Sequence, residues 1–191
     1  MDKKVGQQIF LGANKAYIGF GANLPYAKRA PADTIMGAKS ALMAKGVRVL
    51  RFSRLWQSPA WPDPREPAYV NAVAEVVTTL PPFALLRTLR SIERQFGRRR
   101  SYRNAPRTLD LDLLSYENVC LRTLHLTLPH PGIESRAFVL LPLRDVAPNW
   151  RLPGRDKALD RLVRSLSEES RNAVSPLNDE KMCKQLYSRR Y

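Results

Sequence analysis

The apolar residues of this chain change period several times between Lys15 and Val146, and each change marks an element. Lys15 to Phe20 (KAYIGF) reads as a strand, followed by a loop that opens with GANLP. Ile35, Ala38, Ala41 and Leu42 then fall on one helical face, with Asp33 or Thr34 as the cap and Gly46 as the stop. Val47 to Trp56 alternates like a half-buried strand. The proline-rich SPAWPDPREP separates it from Tyr69 to Thr78, a β-branched run that predicts another strand. Pro81 and Pro82 open a second helix, where proline is tolerated in the first turn, and its apolar face is Leu85, Leu86, Leu89, Ile92 and Phe96. Gly97 and an arginine-rich loop end it, and Thr108 to Tyr116 is the next strand.

This order, β-α-β-β-α-β, predicts an α+β fold on a ferredoxin-like core. Val119 to Leu126, with His125 alternating inside L-H-L, adds a possible further strand, and Ala137 to Val146 a short helix packed on the sheet. The expected organisation is one domain over 15–160, with 1–14 and 161–191 as polar peripheral extensions to which no function is assigned.

Composition narrows the class. The chain has 191 residues, 44% hydrophobic and 26% charged, and no apolar run near the ~20 residues that a membrane span needs. Its two cysteines, Cys120 and Cys183, form no framework, which predicts a reducing compartment and a cytoplasmic protein. A monomer is the working expectation. The net charge of +15 fits a nucleic acid, an anionic membrane or a polyanionic small molecule as partner. Arg98, Arg99, Arg100, Arg103 and Arg107 crowd one segment with no acid among them. Alone, that is a solvated basic loop as readily as a site.

The neighbouring aspartates change the reading. In a strand, Leu109, Leu111 and Leu113 point to one face, and Asp110 and Asp112 to the other, their Cβ atoms about 7 Å apart. Two anions so placed raise each other's pKa unless a cation joins them. Either both face solvent or pair with Arg103 and Arg107, or they hold a divalent metal such as Mg²⁺, whose remaining ligands are waters and phosphates. Arginine forks suit phosphate. The chain has no G-x-x-x-x-G-K-[ST] loop and no protein-kinase signature, so any phosphates here are held by metal and arginine. His130, between Pro129 and Pro131, is either structural or a donor positioned by its prolines. Tyr69 and Asn71 share a strand face on which a flat polar ring can stack and hydrogen-bond, or are ordinary packing residues.

Together GANL (21–24), SPAW (58–61), AYVNA (68–72), IERQFGRRR (92–100), PRTLDLDLL (106–114) and LPHPGIESRAFVLLPLRDVAP (128–148) resemble the 6-hydroxymethyl-7,8-dihydropterin pyrophosphokinases of folate biosynthesis. The resemblance implies Mg-dependent transfer of pyrophosphate from ATP to the hydroxymethyl group of the pterin, releasing AMP, and no nucleic-acid or membrane partner. It implies two Mg²⁺ ions on Asp110 and Asp112, with Arg98 and Arg107 joining them in catalysis. Arg98, Arg100, Arg107, His130 and Arg136 match ATP-binding positions, and Leu113 and Thr127 sit where backbone groups meet the adenine. Tyr69 and Phe138 match the aromatic pair around the pterin, Asn71 an asparagine that reads its edge, and Ser58, Pro59 and Trp61 the pocket lining. Glu93 matches a recurring acid whose role the resemblance leaves open. Asn104 stands where some members carry a lid aromatic, for which Tyr102 is a substitute in a different register, and Pro131 stands where some have tyrosine. Two rivals keep part of the pattern: a basic ferredoxin-like RNA-binding module, and a D-x-D metal-dependent nucleotide-sugar transferase. The strand L-D-L-D-L-L lacks the aromatics an RNA-binding sheet presents.

Overall fold

The structure, a computed structural model, describes residues 12–61, 63–98 and 105–177. Strand β1 (Asn14–Ala22) leads to helix α1 (Pro31–Ala44), then to β2 (Arg48–Phe52), β3 (Trp56–Ser58) and β4 (Tyr69–Thr78). Helix α2 (Pro82–Gln95) precedes β5 (Asp110–Tyr116). A small ribbon of β6 (Leu121–Arg122) and β7 (Thr127–Leu128) follows, then α3 (Ala137–Val146) and a second ribbon, β8 (Arg151–Leu152) with β9 (Lys157–Ala158). The described chain closes with α4 (Leu159–Ser165), α5 (Glu168–Asn172) and β10 (Ser175–Pro176).

The main sheet runs β10-β3-β4-β1-β5, with β2 also on β4, and each pair is antiparallel. Taking β2 and β3 as halves of one strand, this is the ferredoxin-like order. Each face carries its own core. Ile35, Ala38 and Leu42 of α1 and Leu85, Leu89 and Ile92 of α2 pack against Ile18, Phe20, Val76, Leu111 and Leu113. On the opposite face α3 and α4 bring Leu140, Leu143, Leu159 and Leu162 against Tyr17, Trp56, Val73 and Leu114. The alternation along β5 puts Leu109, Leu111 and Leu113 in the first core and turns Asp110 and Asp112 to the α3 side, as the period-two pattern predicts.

Several local expectations differ from the structure. Helix α1 begins at Pro31 with Ala30 as its N-cap and no side-chain cap, so Asp33 is a first-turn acid and Thr34 turns its hydroxyl back to the Ala30 carbonyl at 3.2 Å. Proline at the first position substitutes its fixed φ for the missing cap. The run Val47–Trp56 breaks into two strands: the register against β4 shifts between Val49 and Arg51, and at Ser53 the Val73 N–H donates to the side-chain hydroxyl at 2.9 Å in place of a backbone carbonyl. Val119–Leu126 yields only the two-residue β6, and His125 sits exposed in the turn before β7 rather than in a strand. The boundary expected at 160 falls inside α4. Leu162, Val163, Leu166 and Val174 are buried in the second core, and β10 adds to the sheet edge beside β3. Among the described residues no helix is long and apolar enough to cross a membrane.

Polar anchors tie α3 to the sheet. Asp145 accepts from the Trp56 indole Nε1 at 2.9 Å and from Arg54 Nε and Nη2 at 3.2 and 2.8 Å. Arg51 Nη1 donates to the Val146 carbonyl at 3.1 Å, satisfying the end of the helix. Farther along the same face, Glu75 is buried but paired with Lys15 at 3.1 Å and Arg51 at 3.7 Å. Burial, together with this carboxylate, pushes the Tyr17 hydroxyl up to about 12. Asp145→Ala leaves the buried indole N–H of Trp56 without its acceptor and is expected to lower stability by about 1–3 kcal/mol. Urea unfolding followed by tryptophan fluorescence measures it.

Candidate active site

The site grows out of two rows across the sheet. Asp110 lies opposite Gly21, Gly21 opposite Asn71, and Asn71 opposite Trp56. In the next row Asp112 lies opposite Gly19, and Gly19 opposite Val73. With strands about 4.8 Å apart, the carboxylates of β5 and the amide of Asn71 are separated by roughly 10 Å of floor. That floor is bare because β1 carries glycine at both crossings. A Cβ on Gly21 would stand 3.6 Å from Asn71 Oδ1 and 3.8 Å from Asp110 Cβ, and one on Gly19 would stand 3.4 Å from Leu114. Glycine inside a strand weakens it and marks a place where another group must come close. Here it leaves open a cavity of about 550 Å³.

At one end the cavity is polar and charged. Arg107, Asp110, Asp112 and Arg136 line it. Asp110 is clamped by two arginines, with Arg98 Nη1 at 2.5 Å from Oδ1 and Arg107 Nη1 at 2.5 Å from Oδ2. Glu93, buried in α2, explains how Arg98 gets there. It pairs with the Arg98 guanidinium, and its Oε1 also accepts the Leu111 N–H at 2.9 Å. One acid thus registers the end of α2 on β5. Gly97 makes the turn between them at φ +75°, where a side chain would collide with the Tyr26 ring. Arg107 is fixed from both sides: its N–H meets Asn23 Oδ1 at 2.8 Å, and its Nε donates to the Ala105 carbonyl at 3.1 Å.

Asp112 has weaker company. Its oxygens lie 4.0 Å from His130 Nε2 and 4.0 Å from Arg136 Nη1. The carboxylate opens onto the cavity yet is surrounded by protein. Burial and then the charge of Asp110 raise its pKa, against the opposing pull of His130, Arg136 and Arg98. His130 is positioned by its backbone, which donates to the Leu114 carbonyl at 2.8 Å, and by the Gly132 N–H, which donates to Nδ1 at 3.1 Å. That bond leaves Nε2 to carry the proton of the neutral ring, facing Asp112. Burial lowers the His130 pKa, with Asp112 opposing.

The other end is flat and aromatic. Tyr69, Phe138, Trp61, Pro59, Ser58 and Asn71 line it. Asn71 and Ser58 are buried and joined by Asn71 Nδ2 donating to Ser58 Oγ at 3.0 Å, which leaves the Asn71 carbonyl oxygen toward the floor beside Gly21. Phe138 carries the Arg136 guanidinium 5.7 Å from its ring centre, so the two ends meet at the start of α3. Trp61 is 72% exposed at the mouth.

Most of the residues expected from sequence therefore converge on one cavity. Arg98, His130, Leu113 and Thr127 do not line it, although Arg98 and His130 stand behind the lining carboxylates, against Asp110 and Asp112. Leu113 buries its side chain on the opposite face, so only its backbone is available, and Thr127 lies on β7. Arg100, Tyr102, Arg103 and Asn104 lie outside the described residues. Sequence reasoning missed the glycine floor, although G-x-G inside a strand is a readable sign. It also missed Ser170, Ala173 and Val174, which complete the wall and carry no such sign.

With this geometry in place, the comparisons with known proteins have a clear meaning. Residues 17–148 match the family model described as 7,8-dihydro-6-hydroxymethylpterin-pyrophosphokinase, HPPK. A 2-amino-4-hydroxy-6-hydroxymethyldihydropteridine pyrophosphokinase from Synechocystis is 38% identical over 149 residues, covering 78% of this chain and 74% of that one. The enzyme of the same name from Haemophilus influenzae is 33% identical over 162 residues, 84% of this chain and 98% of its own. A solved HPPK-DHPS in complex with substrates superposes with a TM-score of 0.63 at 13% identity, over 81% of this chain and 43% of the larger one, a likeness of fold alone. The chain belongs to the HPPK family.

The strain between the two carboxylates is measurable. Because the folded-state pKa of Asp112 is raised from 3.8, its contribution to stability is present below that value and is lost as pH rises through the folded pKa, so the ionised form is a net burden at pH 7. Asp112→Asn is expected to raise the Tm of the ligand-free protein at pH 7. The gain shrinks toward zero as pH falls below 4, and calorimetry in chelator at pH 7 and pH 3.5 reads both.

Proposed function

We propose that this chain transfers pyrophosphate from ATP to the hydroxymethyl group of 6-hydroxymethyl-7,8-dihydropterin. The hydroxyl oxygen bonds to the β-phosphorus, the bond from that phosphorus to the α-phosphate oxygen breaks, AMP leaves, and the hydroxyl proton passes to solvent. The observation that carries this reading is the continuity of one cavity between a flat aromatic and amide end and an end of two carboxylates and arginines. A bicyclic polar ring suits the first: Tyr69 and Phe138 supply ring faces, and Asn71 with Ser58 an edge of hydrogen bonds. A triphosphate suits the second.

The donor set also fits Mg²⁺. Among the described residues no group of three or more His, Cys, Asp or Glu side chains forms a metal cage. Among the described residues that line the cavity, Asp110 and Asp112 are the carboxylates, and Mg²⁺ habitually takes one or two carboxylates and fills the rest with water and phosphate. Two ions would bring four positive charges to balance the roughly four of ATP and the two carboxylates, leaving a remainder that Arg107 and Arg136 cover. Bound there, the cations supply charge neutralisation and acidify the attacking hydroxyl. The protein's part is to hold the reactants and withhold water. Arg107 and Arg98 offer forks to the phosphates once released from Asp110, His130 presents an Nε2–H, and the backbone near Leu113 and Thr127 is assigned to the adenine. Chemistry of this kind rests on placement and electrostatics more than on covalent help. A cytoplasmic, monomeric enzyme is part of the same reading.

An RNA-binding role finds little support, because α3 and α4 cover the sheet face such a module would use, and the acids of β5 repel phosphate without a cation. The decisive experiment follows AMP formation from ATP and Mg²⁺ with and without 6-hydroxymethyl-7,8-dihydropterin. Pterin-dependent AMP is expected, and equal AMP in both would overturn the reading. Asp110→Ala or Asp112→Ala is expected to abolish Mg²⁺-dependent turnover. Arg107→Ala is expected to cut kcat by on the order of 10²–10³ while moving the KM for ATP far less, since its fork meets charge that develops at the transition state. Equal losses in both constants would assign it to ground-state binding instead.

A further inference from the structure

The aromatic end of the cavity is closed by a part of the chain that the family match, ending at residue 148, does not reach. Ser170, Ala173 and Val174 stand on its wall. Their placement follows from two anchors. β10 pairs with β3, Ser175 opposite Gln57 and Pro176 opposite Trp56, and the Leu177 N–H reaches the Leu55 carbonyl at 2.8 Å. Continued by one residue, this register sets Val174 beside Ser58, the partner of Asn71. The second anchor is Arg171, whose Nη1 donates to the carbonyls of Leu166, Arg164 and Val163 at 3.2, 3.3 and 3.4 Å. It ties α5 to the end of α4. Ser167 caps α5, accepting the Ser170 N–H at 3.1 Å.

Ser170 and Ala173 are three residues apart and so lie on one side of the turn, the side toward the cavity. Unlike Val174, both are exposed. They support no core, and their size is free to be set by what must fit beside them. We propose that α5 and the residue that follows it form a specificity wall: the small side chains of Ser170 and Ala173 set the space open to the heterocycle at the aromatic end. The β10–β3 pairing sets this wall beside Ser58 at the ring end, so it is expected to act on the pterin and to leave ATP alone. This inference rests on the functional reading above.

The test enlarges the wall at Ala173, one of its two exposed positions. Ala173→Trp, with Ala173→Leu as a milder second variant, is compared with the unaltered protein for pterin Kd by titration calorimetry, for KM of both substrates, and for Tm. The expected result is a pterin Kd and KM raised about tenfold in the tryptophan variant and less in the leucine variant, with KM for ATP within twofold and Tm unchanged. If the unaltered protein binds the pterin and turns it over while both variants bind it equally well, the wall is overturned and the functional reading stands. A parallel loss for ATP also overturns the wall, since it would mark a general disturbance. If the unaltered protein neither binds the pterin nor forms AMP with it, the functional reading fails first and takes the wall with it.

Discussion

The arrangement depends on the proximity of two like charges. Asp110 and Asp112 are two residues apart on β5, so the pleat forces both carboxylates onto one face, and α3 and α4 shelter that face from bulk water. Such a pair is tolerable only beside cations. Arg98 and Arg107 answer for Asp110, while among the described residues Asp112 has His130 and Arg136 at the edge of contact. The imbalance leaves one carboxylate with less compensating charge than its neighbour, which is the feature the proposed cation role rests on.

The rest of the architecture supports that pair. Glu93 works through both the backbone of Leu111 and the guanidinium of Arg98, so α2 and β5 hold a common register. Asp145 and Arg51 fasten α3 across the sheet, which brings Arg136 and Phe138 over the floor from its first turn. The two glycines of β1 weaken the central strand locally, and the flanking β4 and β5 ladders on both sides make that tolerable.

Much of this is legible in the sequence because it is periodic. The alternation of leucine and aspartate on β5 fixes which side chains face the cavity, and the β-branched run of β4 is found end to end. The apolar spacing of α2 and the span of α3 agree with their observed bounds. What the sequence hides is non-local. Nothing within Val47–Trp56 announces a register slip, since the slip is made against β4. His125 alternates like a strand residue, yet its neighbours form a turn because only two residues find a partner. Glu93 stands in the sequence as a recurring acid of the resembled family with no readable role, and the role is seen only once the fold sets Leu111 and Arg98 around it. The segment from 161 to 177 is polar and carries no motif, and its part in the cavity wall arises from pairing with β3, more than a hundred residues earlier.

The added strand β10 also bears on how these molecules behave in a crowd. An open antiparallel sheet ends in unpaired amides, and such a border is where chains stick to one another. On this side of the sheet the border is shared between β3 and β2. The outward amides of β3 are taken by β10, and β2 presents Arg48 and Arg51 along its exposed length. A neighbour approaching in strand register meets either a two-residue edge strand whose Pro176 has no N–H to offer or a short strand that carries arginines, and both discourage edge-to-edge pairing.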